Sequence, residues 1–476
     1  MSEQPVATRT ERAPEGSLTR SQTVFMVAAL VLSVVSFMLN ATMLSPAIRD
    51  INAHLGAGAF APISSYFYLA GAIANVVLIR WSDYIGRKRV LIGVLIMLCV
   101  GTVLCVFGTS LPVVVAGRVL QGASNITFGL SYLIMRERLS AAVFGICCGV
   151  ISAVNGGVAG TDALLAGFLV DHFGYRSIFV LTLAIGVIAV ALGSKALPAD
   201  DSGRAAPGRM DWRGAALIAV TVAGIDLFLG NGGHLGWSSP FVLGCIAAAT
   251  AAFAAFVVIE KRAVEPLVHV DELRSRYAWP LILATILCFA SFTVVLSFII
   301  PSIAENRSVG FSATGEMTAL LFITPAAMVQ LIAAPLIGRL AVRIGFVTVL
   351  RAGIIGAVAV VALLAVFVLD RNMAILLMIG FGAAMGVTLT PLAALGVIQA
   401  PVDEPGSLPG ICNAAFGIGG SLGFTWAGAI VGEGTKASYH SALWIAAAIG
   451  VAAFATSLIL KPRSAAVVPA AAGLSH

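Results

Sequence analysis

The sequence predicts an all-α integral membrane protein with 14 transmembrane helices: two six-helix bundles plus a two-helix central insertion. Three observations lead there. Of 476 residues, 59% are hydrophobic and 11% are charged, with mean hydropathy +1.01. A soluble chain carries roughly 25% charged residues, so a water-facing surface is excluded. Charge is absent from repeated windows of about 20 residues, the length a helix needs to cross a bilayer core of about 30 Å. The basic residues gather in alternate connections between those windows.

The chain is read in order from its polar start. Residues 1–22, with Pro5, Pro14 and Gly16, form a disordered cytoplasmic tail. The apolar run from Thr23 is too long for a cleaved signal peptide and is kept as the first span. Spans at 23–46, 61–80, 89–109, 112–134, 141–169 and 177–197 make the first bundle, 23–197. Residues 198–276 hold two polar stretches and the inserted spans 213–230 and 239–259. Spans at 277–303, 317–338, 347–368, 373–397, 407–431 and 440–460 make the second bundle, 277–461, before a tail at 462–476.

Orientation follows from counting. With the N-terminus inside, 22 of the 28 Lys and Arg residues fall on the inner side and five on the outer, while Arg118 lies within a span. That bias places both termini in the cytoplasm. The net charge of +6 therefore reports topology, and no nucleic-acid partner is expected. The seven cysteines sit in apolar runs without metal-ligand spacing to a histidine, so they read as small hydrophobes and no metal is expected. No GxxxxGK[ST] loop is present, which argues against ATP-driven transport by this chain. No cofactor and no enzymatic activity are expected.

The most informative stretch is Ser82-Asp83-Tyr84-Ile85-Gly86-Arg87-Lys88-Arg89, a charged island between the second and third spans. Gly86 permits a tight turn, and Asp83 can accept from an arginine or a helix N-terminus. Asp83, Gly86, Arg87 and Lys88 are thus expected to form a cytoplasmic gating loop. A weaker copy recurs: Ile79-x-Trp81-Ser82-Asp83-x-x-Gly86 aligns with Gly338-x-Leu340-Ala341-Val342-x-x-Gly345. Related helical halves are the building plan of alternating-access transporters.

These residues carry a resemblance. Trp81 to Arg89 resembles the signature loop GxLaDrxGRkxxl of the major facilitator superfamily, with Ile79 in place of its first glycine. Arg118-Val119-Leu120-Gln121-Gly122 resembles the RxxQG motif, and Gly174-Tyr175-Arg176-Ser177-Ile178-Phe179 resembles GWRWIF. Asp211-Trp212-Arg213-Gly214 and Glu260 to Leu267, flanking the insertion, look like their counterparts in the fourteen-span drug:proton antiporter branch. Two departures stand out. The LDxTxxxxALP motif of that branch reads Leu39-Asn40-Ala41-Thr42-Met43-Leu44-Ser45-Pro46, so the carboxylate is an amide. In place of GPxxGG the fifth span has Asp162-Ala163-Leu164-Leu165-Ala166-Gly167.

Polar residues within spans supply the candidate sites. A charge at mid-helix costs roughly 2.5–3.5 kcal/mol on insertion scales, so such residues are rare and commonly functional. At 3.6 residues per turn, Arg118, Gln121 and Asn125 share one face of the fourth span. Ser152, Asn155 and Asp162 share one face of the fifth, and Ser33, Ser36 and Asn40 one face of the first. Arg118, Asp162 and Asn40 lie at similar depth, which suggests an Arg118–Asp162 ion pair beside Asn40 that is either structural or proton-coupling. Tyr66, Gln330, Asn413 and Trp426 are weaker cavity candidates. Asp226, in the insertion, reads first as a local helix-to-helix hydrogen bond.

The resemblance implies a secondary active transporter of the bacterial inner (plasma) membrane, exporting small amphipathic or cationic organic compounds in exchange for protons. Its partners would be a small organic substrate, protons and the lipid bilayer, and it would act as a monomer. The amide at Asn40 keeps a facilitator or proton symporter for one metabolite as the alternative. A non-transporting membrane sensor is the remote one.

Overall fold

In hydrocarbon only a helix satisfies the backbone of an isolated span, and the windows above obey that constraint. The computed structural model describes residues 19–139, 141–200, 210–262, 275–399 and 407–461, without side chains at some positions, 152–160 among them. Every regular element among the described residues is helical. Both expected tails lie largely outside them.

Helix α1 (Arg20–Thr42) leads through a short 3-10 turn to the brief α2 (Ile48–Leu55). Then come α3 (Phe60–Ile85), α4 (Arg87–Phe107), α5 (Leu111–Gly122) and α6 (Thr127–Arg138), the last two joined by a 3-10 turn at Ala123–Ile126. Helices α7 (Ala141–Phe173) and α8 (Arg176–Ala196) follow, and α9 (Trp212–Leu235) and α10 (Pro240–Glu260) form the inserted pair. Helix α11 (Trp279–Cys288) runs through wide π turns into α12 (Ile300–Glu305), and α13 (Gly315–Thr318) through another into α14 (Thr324–Ile344). The chain continues with α15 (Phe346–Val366), α16 (Arg371–Ile398), α17 (Ser407–Val431) and α18 (Lys436–Ile459).

Among the described residues, twelve helical segments are long and apolar enough to cross a membrane, fewer than the fourteen expected. The other two expected spans coincide with α5–α6, which the 3-10 turn divides, and with α7, part of whose side chains are not described.

Helix packing separates an early set from a late one. Helix α1 packs on α7 and α8, α3 on α5, and α4 on α5 and α8. In the late set α14 and α15 pack on α16, and α18 packs on α11 and α15. The sets meet where α3 lies against α17 and where α7 lies against α13 and α14. The inserted helix α9 rests on both α17 and α3, across the first of these seams.

The internal repeat has a backbone counterpart. Gly86, between α3 and α4, has φ 105° and ψ 137°, and Gly345, between α14 and α15, has φ 96° and ψ 133°. Each donates its N–H to the carbonyl four residues back, Ser82 at 3.1 Å and Ala341 at 2.9 Å. This region of backbone space is essentially reserved for glycine.

Polar bridges between the sets cluster at the end opposite this turn. The Arg49 N–H donates to Glu305 Oε2 at 2.8 Å, and the N–H groups of Gly315 and Glu316 donate to Asp171 at 3.0 and 2.9 Å. These bonds seal the early set to the late one at that end.

Gly345→Ala is expected to cost about 1–2 kcal/mol from backbone strain alone, since its Cβ would meet only Thr348 Oγ1 at 3.7 Å. Gly86→Ala should cost more, because its Cβ would strike the Asp200 carboxylate. Thermal unfolding of the two purified variants by size-exclusion fluorescence tests this; equal midpoints would contradict it.

Candidate functional site

Arg118 anchors the candidate site. It is 1% exposed on α5 and donates three hydrogen bonds: Nε to the Ile63 carbonyl (3.2 Å), and Nη1 to the Asn40 carbonyl (3.0 Å) and Gln121 Oε1 (2.8 Å). Its guanidinium also lies 4.0 Å from the centroid of the Phe67 ring. Asn40 sits in the last turn of α1, where carbonyls lack helical partners and the helix dipole is negative, a favourable place for a cation. Gln121 Nε2 passes the network to Thr102 Oγ1 on α4 at 2.8 Å. Arg118 thereby pins α1 and α3 to α5, and Gln121 adds α4.

The expected Arg118–Asp162 ion pair is not formed; no salt bridge joins them among the described residues. Asp162 on α7, 4% exposed, instead takes a hydrogen bond from Thr42 Oγ1, and its Oδ1 has no partner. The expected meeting of Arg118 with Asn40 does occur, but through the Asn40 backbone. The stripe on α1 also turns inward on its own helix: Ser33, Ser36 and Asn40 Nδ2 donate to the carbonyls of Ala29, Leu32 and Ser36, all at 2.8 Å. Equal spacing placed these groups on common faces, but the rotation between helices decided their partners. The Asn155 side chain lies outside the described residues.

A cavity of about 460 Å³ opens between the two sets. Asn125, Gln330 and Asn413 line it, together with Phe37, Phe128, Phe289 and Phe416. Asn125 is buried and its amide nitrogen has no hydrogen-bond partner, so a donor at the wall is unspent. Phe289 begins one of the π turns, a bulge of the kind often found at functional sites. Among the described residues no charged one lines this cavity, and neither Asp162 nor Arg118 belongs to it. The phenylalanines were missed in the sequence, although Phe128 and Phe416 stand three residues after Asn125 and Asn413 and so share their faces.

The other candidates lie elsewhere. Trp426 is half-buried and donates from its indole to the Ala290 carbonyl at 3.0 Å, a link between α17 and the π turn after α11. Tyr66 lines a separate cavity of about 620 Å³ together with Asp226. Asp226 is not a purely local bond of the inserted pair: it accepts from Ser421 and Thr425 of α17, at 2.6 and 2.8 Å.

In the gating loop, Asp83 pairs with Arg87 at 3.3 Å and Arg80 at 3.7 Å, and Arg87 reaches Glu137 at 2.9 Å. The N-terminus of α4 is capped by Asp200 rather than Asp83: it accepts from the Lys88 and Arg89 N–H groups at 2.8 and 3.1 Å. Lys88 Nζ donates to the Leu197 carbonyl at 2.6 Å. All these partners belong to the early set.

Comparison with known proteins agrees with this geometry. Residues 30–424 match the family model of the Major Facilitator Superfamily. The uridine/deoxyuridine transporter of Lactococcus lactis subsp. cremoris (strain MG1363) is 31% identical over 417 residues, covering 84% of this chain and 85% of the relative. The quinolone resistance protein NorB of Staphylococcus aureus (strain MW2) is 24% identical over 461 residues, covering 92% of this chain and 96% of the relative. A D-xylose-proton symporter structure superposes with a TM-score of 0.65 at 13% identity, covering 93% of this chain and 98% of that one.

Arg118→Lys keeps the charge but cannot span three acceptors on three helices. It should lower stability by about 2–3 kcal/mol, read as an earlier midpoint in detergent-induced unfolding. An unchanged midpoint would show that the network is not what holds these helices together.

Proposed function

The chain belongs to the major facilitator superfamily of membrane transporters, and on that footing we propose that it carries a neutral, hydrogen-bonding aromatic solute of the nucleoside type by alternating access. The observation that carries this reading is the central cavity. Three amides, from Asn125, Gln330 and Asn413, stand among four phenylalanines, and among the described residues no charge lines the wall. Phenylalanine faces accept a flat heterocycle, and amides supply both donors and acceptors to its edge. A lipophilic cation, by contrast, is best held by a carboxylate on the wall. The Lactococcus relative, a uridine/deoxyuridine transporter, supports the same class.

The second reading, efflux of amphipathic compounds, is favoured by the resemblance to NorB over 92% of the chain and by the apolar lining. In both readings α5–α6 and α7 also cross the bilayer, giving fourteen spans, with two six-helix bundles at 23–197 and 277–461. The basic loops and both termini face the cytoplasm of the bacterial inner membrane, as the charge bias indicates. The sealed end is then the outer one and the conformation is inward-facing. The Asp83 loop is the latch that engages the second bundle when the inner side closes, and Asp162 is a proton carrier whose transfers follow helix movement around Thr42. The transporter works as a monomer.

Uptake of radiolabelled uridine into proteoliposomes is the direct test. Asn125→Ala and Asn413→Ala should each raise KM about ten-fold, which corresponds to about 1.4 kcal/mol for a lost polar contact. Transport competed by ethidium but not by any nucleoside would overturn the preferred substrate class in favour of the second reading. Separately, Asp162→Asn should abolish accumulation driven by a pH gradient while leaving solute exchange across the membrane. Persistent uphill accumulation in this variant would remove Asp162 from the coupling step.

A further inference from the structure

The seam between α3 and α17 holds a polar cluster whose acid comes from neither of those helices. Asp226 of α9 is 3% exposed, and its Oδ1 accepts from Ser421 Oγ at 2.6 Å and Thr425 Oγ1 at 2.8 Å. Ser65 Oγ of α3 stands 3.2 Å from Oδ1 and 3.3 Å from Oδ2. The same hydroxyl lies 2.6 Å from Thr425 Oγ1.

Counting hydrogens shows what the cluster lacks. Each of the three hydroxyls has one hydrogen to give. Those of Ser421 and Thr425 go to Oδ1. The one hydrogen of Ser65 has the Thr425 oxygen at 2.6 Å and Oδ2 at 3.3 Å within reach, and it serves only one of them at a time. Oδ2 therefore has at most one long hydrogen bond, from Ser65, and neither Ser421 nor Thr425 serves it. A buried ionised carboxylate with one oxygen so weakly satisfied is disfavoured. One hydrogen on Oδ2, directed at Ser65 Oγ, completes the set.

The surroundings allow that hydrogen to arrive as a proton. The cluster borders the cavity of about 620 Å³, whose titratable lining residues are Tyr66 from α3, Glu433 beyond α17 and Asp226 itself. From α10, Cys245 packs by its carbonyl against Gly224, two residues before Asp226. Among the described residues, no lysine, arginine or histidine lines the cavity to compensate the carboxylate.

The cluster also spans the parts that must move. Ser65 belongs to the early set, Ser421 and Thr425 to the late one, and all three lie toward the sealed end of their helices. Opening at that end draws α3 from α17 and breaks the cluster.

We propose that Asp226 binds a proton delivered by water in this cavity, forming an O–H bond at Oδ2, and that this protonation locks the α3–α17 seam. The inserted pair is then a working part of the transport cycle and not a spacer. The consequence for transport rests on the transporter reading above, whereas the protonation itself is measurable without any solute.

The first experiment is pH-difference infrared spectroscopy of the full-length protein in lipid. A carboxyl C=O band that titrates in the wild type should vanish in Asp226→Asn and persist in Asp162→Asn. Persistence of every titrating carboxyl band in Asp226→Asn overturns the proposal, as does a band that follows sodium concentration instead of pH. Should Asp226→Asn fail to fold, Thr425→Val, which removes one donor to Oδ1, must shift the titration midpoint of that band; an unmoved midpoint is also contrary. In proteoliposomes Asp226→Asn on an Asp162→Asn background should keep solute exchange but lose its remaining pH dependence, and retained pH dependence would refute the lock. A wild type that moves no nucleoside or dye would overturn the functional reading alone, because the infrared result stands apart from it.

Discussion

A guanidinium buried in hydrocarbon must find every partner inside the protein, and the first half of this molecule is arranged around that requirement. Arg118 meets it without an acid. Two carbonyls, one side-chain amide and the face of Phe67 surround it, drawn from α1, α3 and α5. Hydrogen bonds to a charged donor are each worth about 1.5–3 kcal/mol, so this set offsets much of the desolvation. The consequence reaches further than the helices it ties. Because carbonyl dipoles satisfy the cation, Asp162 and Asp226 are left to hydroxyl groups, Thr42 for one and Ser65, Ser421 and Thr425 for the other.

Hydrophobic length made the helices legible in the sequence, and the glycine at the loop made the repeat legible. Gly86 and Gly345 were matched by spacing alone, and both adopt positive φ within about ten degrees of each other. Helical periodicity also grouped Arg118 with Gln121 correctly, since residues three apart on one helix must be neighbours. What periodicity cannot encode is the rotation of one helix against another. Equal depth suggested an Arg118–Asp162 pair, yet depth fixes one coordinate of three, and α7 presents its acid to Thr42 instead. Asp200 was illegible for a different reason. It sits in a polar connection where acids are unremarkable, and only the fold brings it to the first turn of α4.

The cavity was half visible. Its three amides stood out as polar residues in apolar helices, whereas its phenylalanines were hidden among 25 in the chain. An aromatic residue in a span carries no signal of its own, because lipid and protein interior accept it equally. Only its position one turn beyond a conspicuous amide distinguishes Phe128 and Phe416 from the lipid-facing ones.

The separation of charge from the central cavity constrains how any coupling can operate. With no carboxylate on the wall among the described residues, a solute bound among Asn125, Gln330 and Asn413 has no acid there with which to compete for a proton. Communication has to pass through helices that both sites share. Helix α3 carries Ser65, α17 carries both Asn413 and the Ser421–Thr425 pair, and α1 carries both Phe37 and Thr42. A tilt of α17 therefore changes the cavity near its start and the Asp226 cluster near its end in one movement. Such an arrangement lets a neutral solute and a proton bias the same two-state seam without meeting, which is the physical requirement for linkage between distant sites.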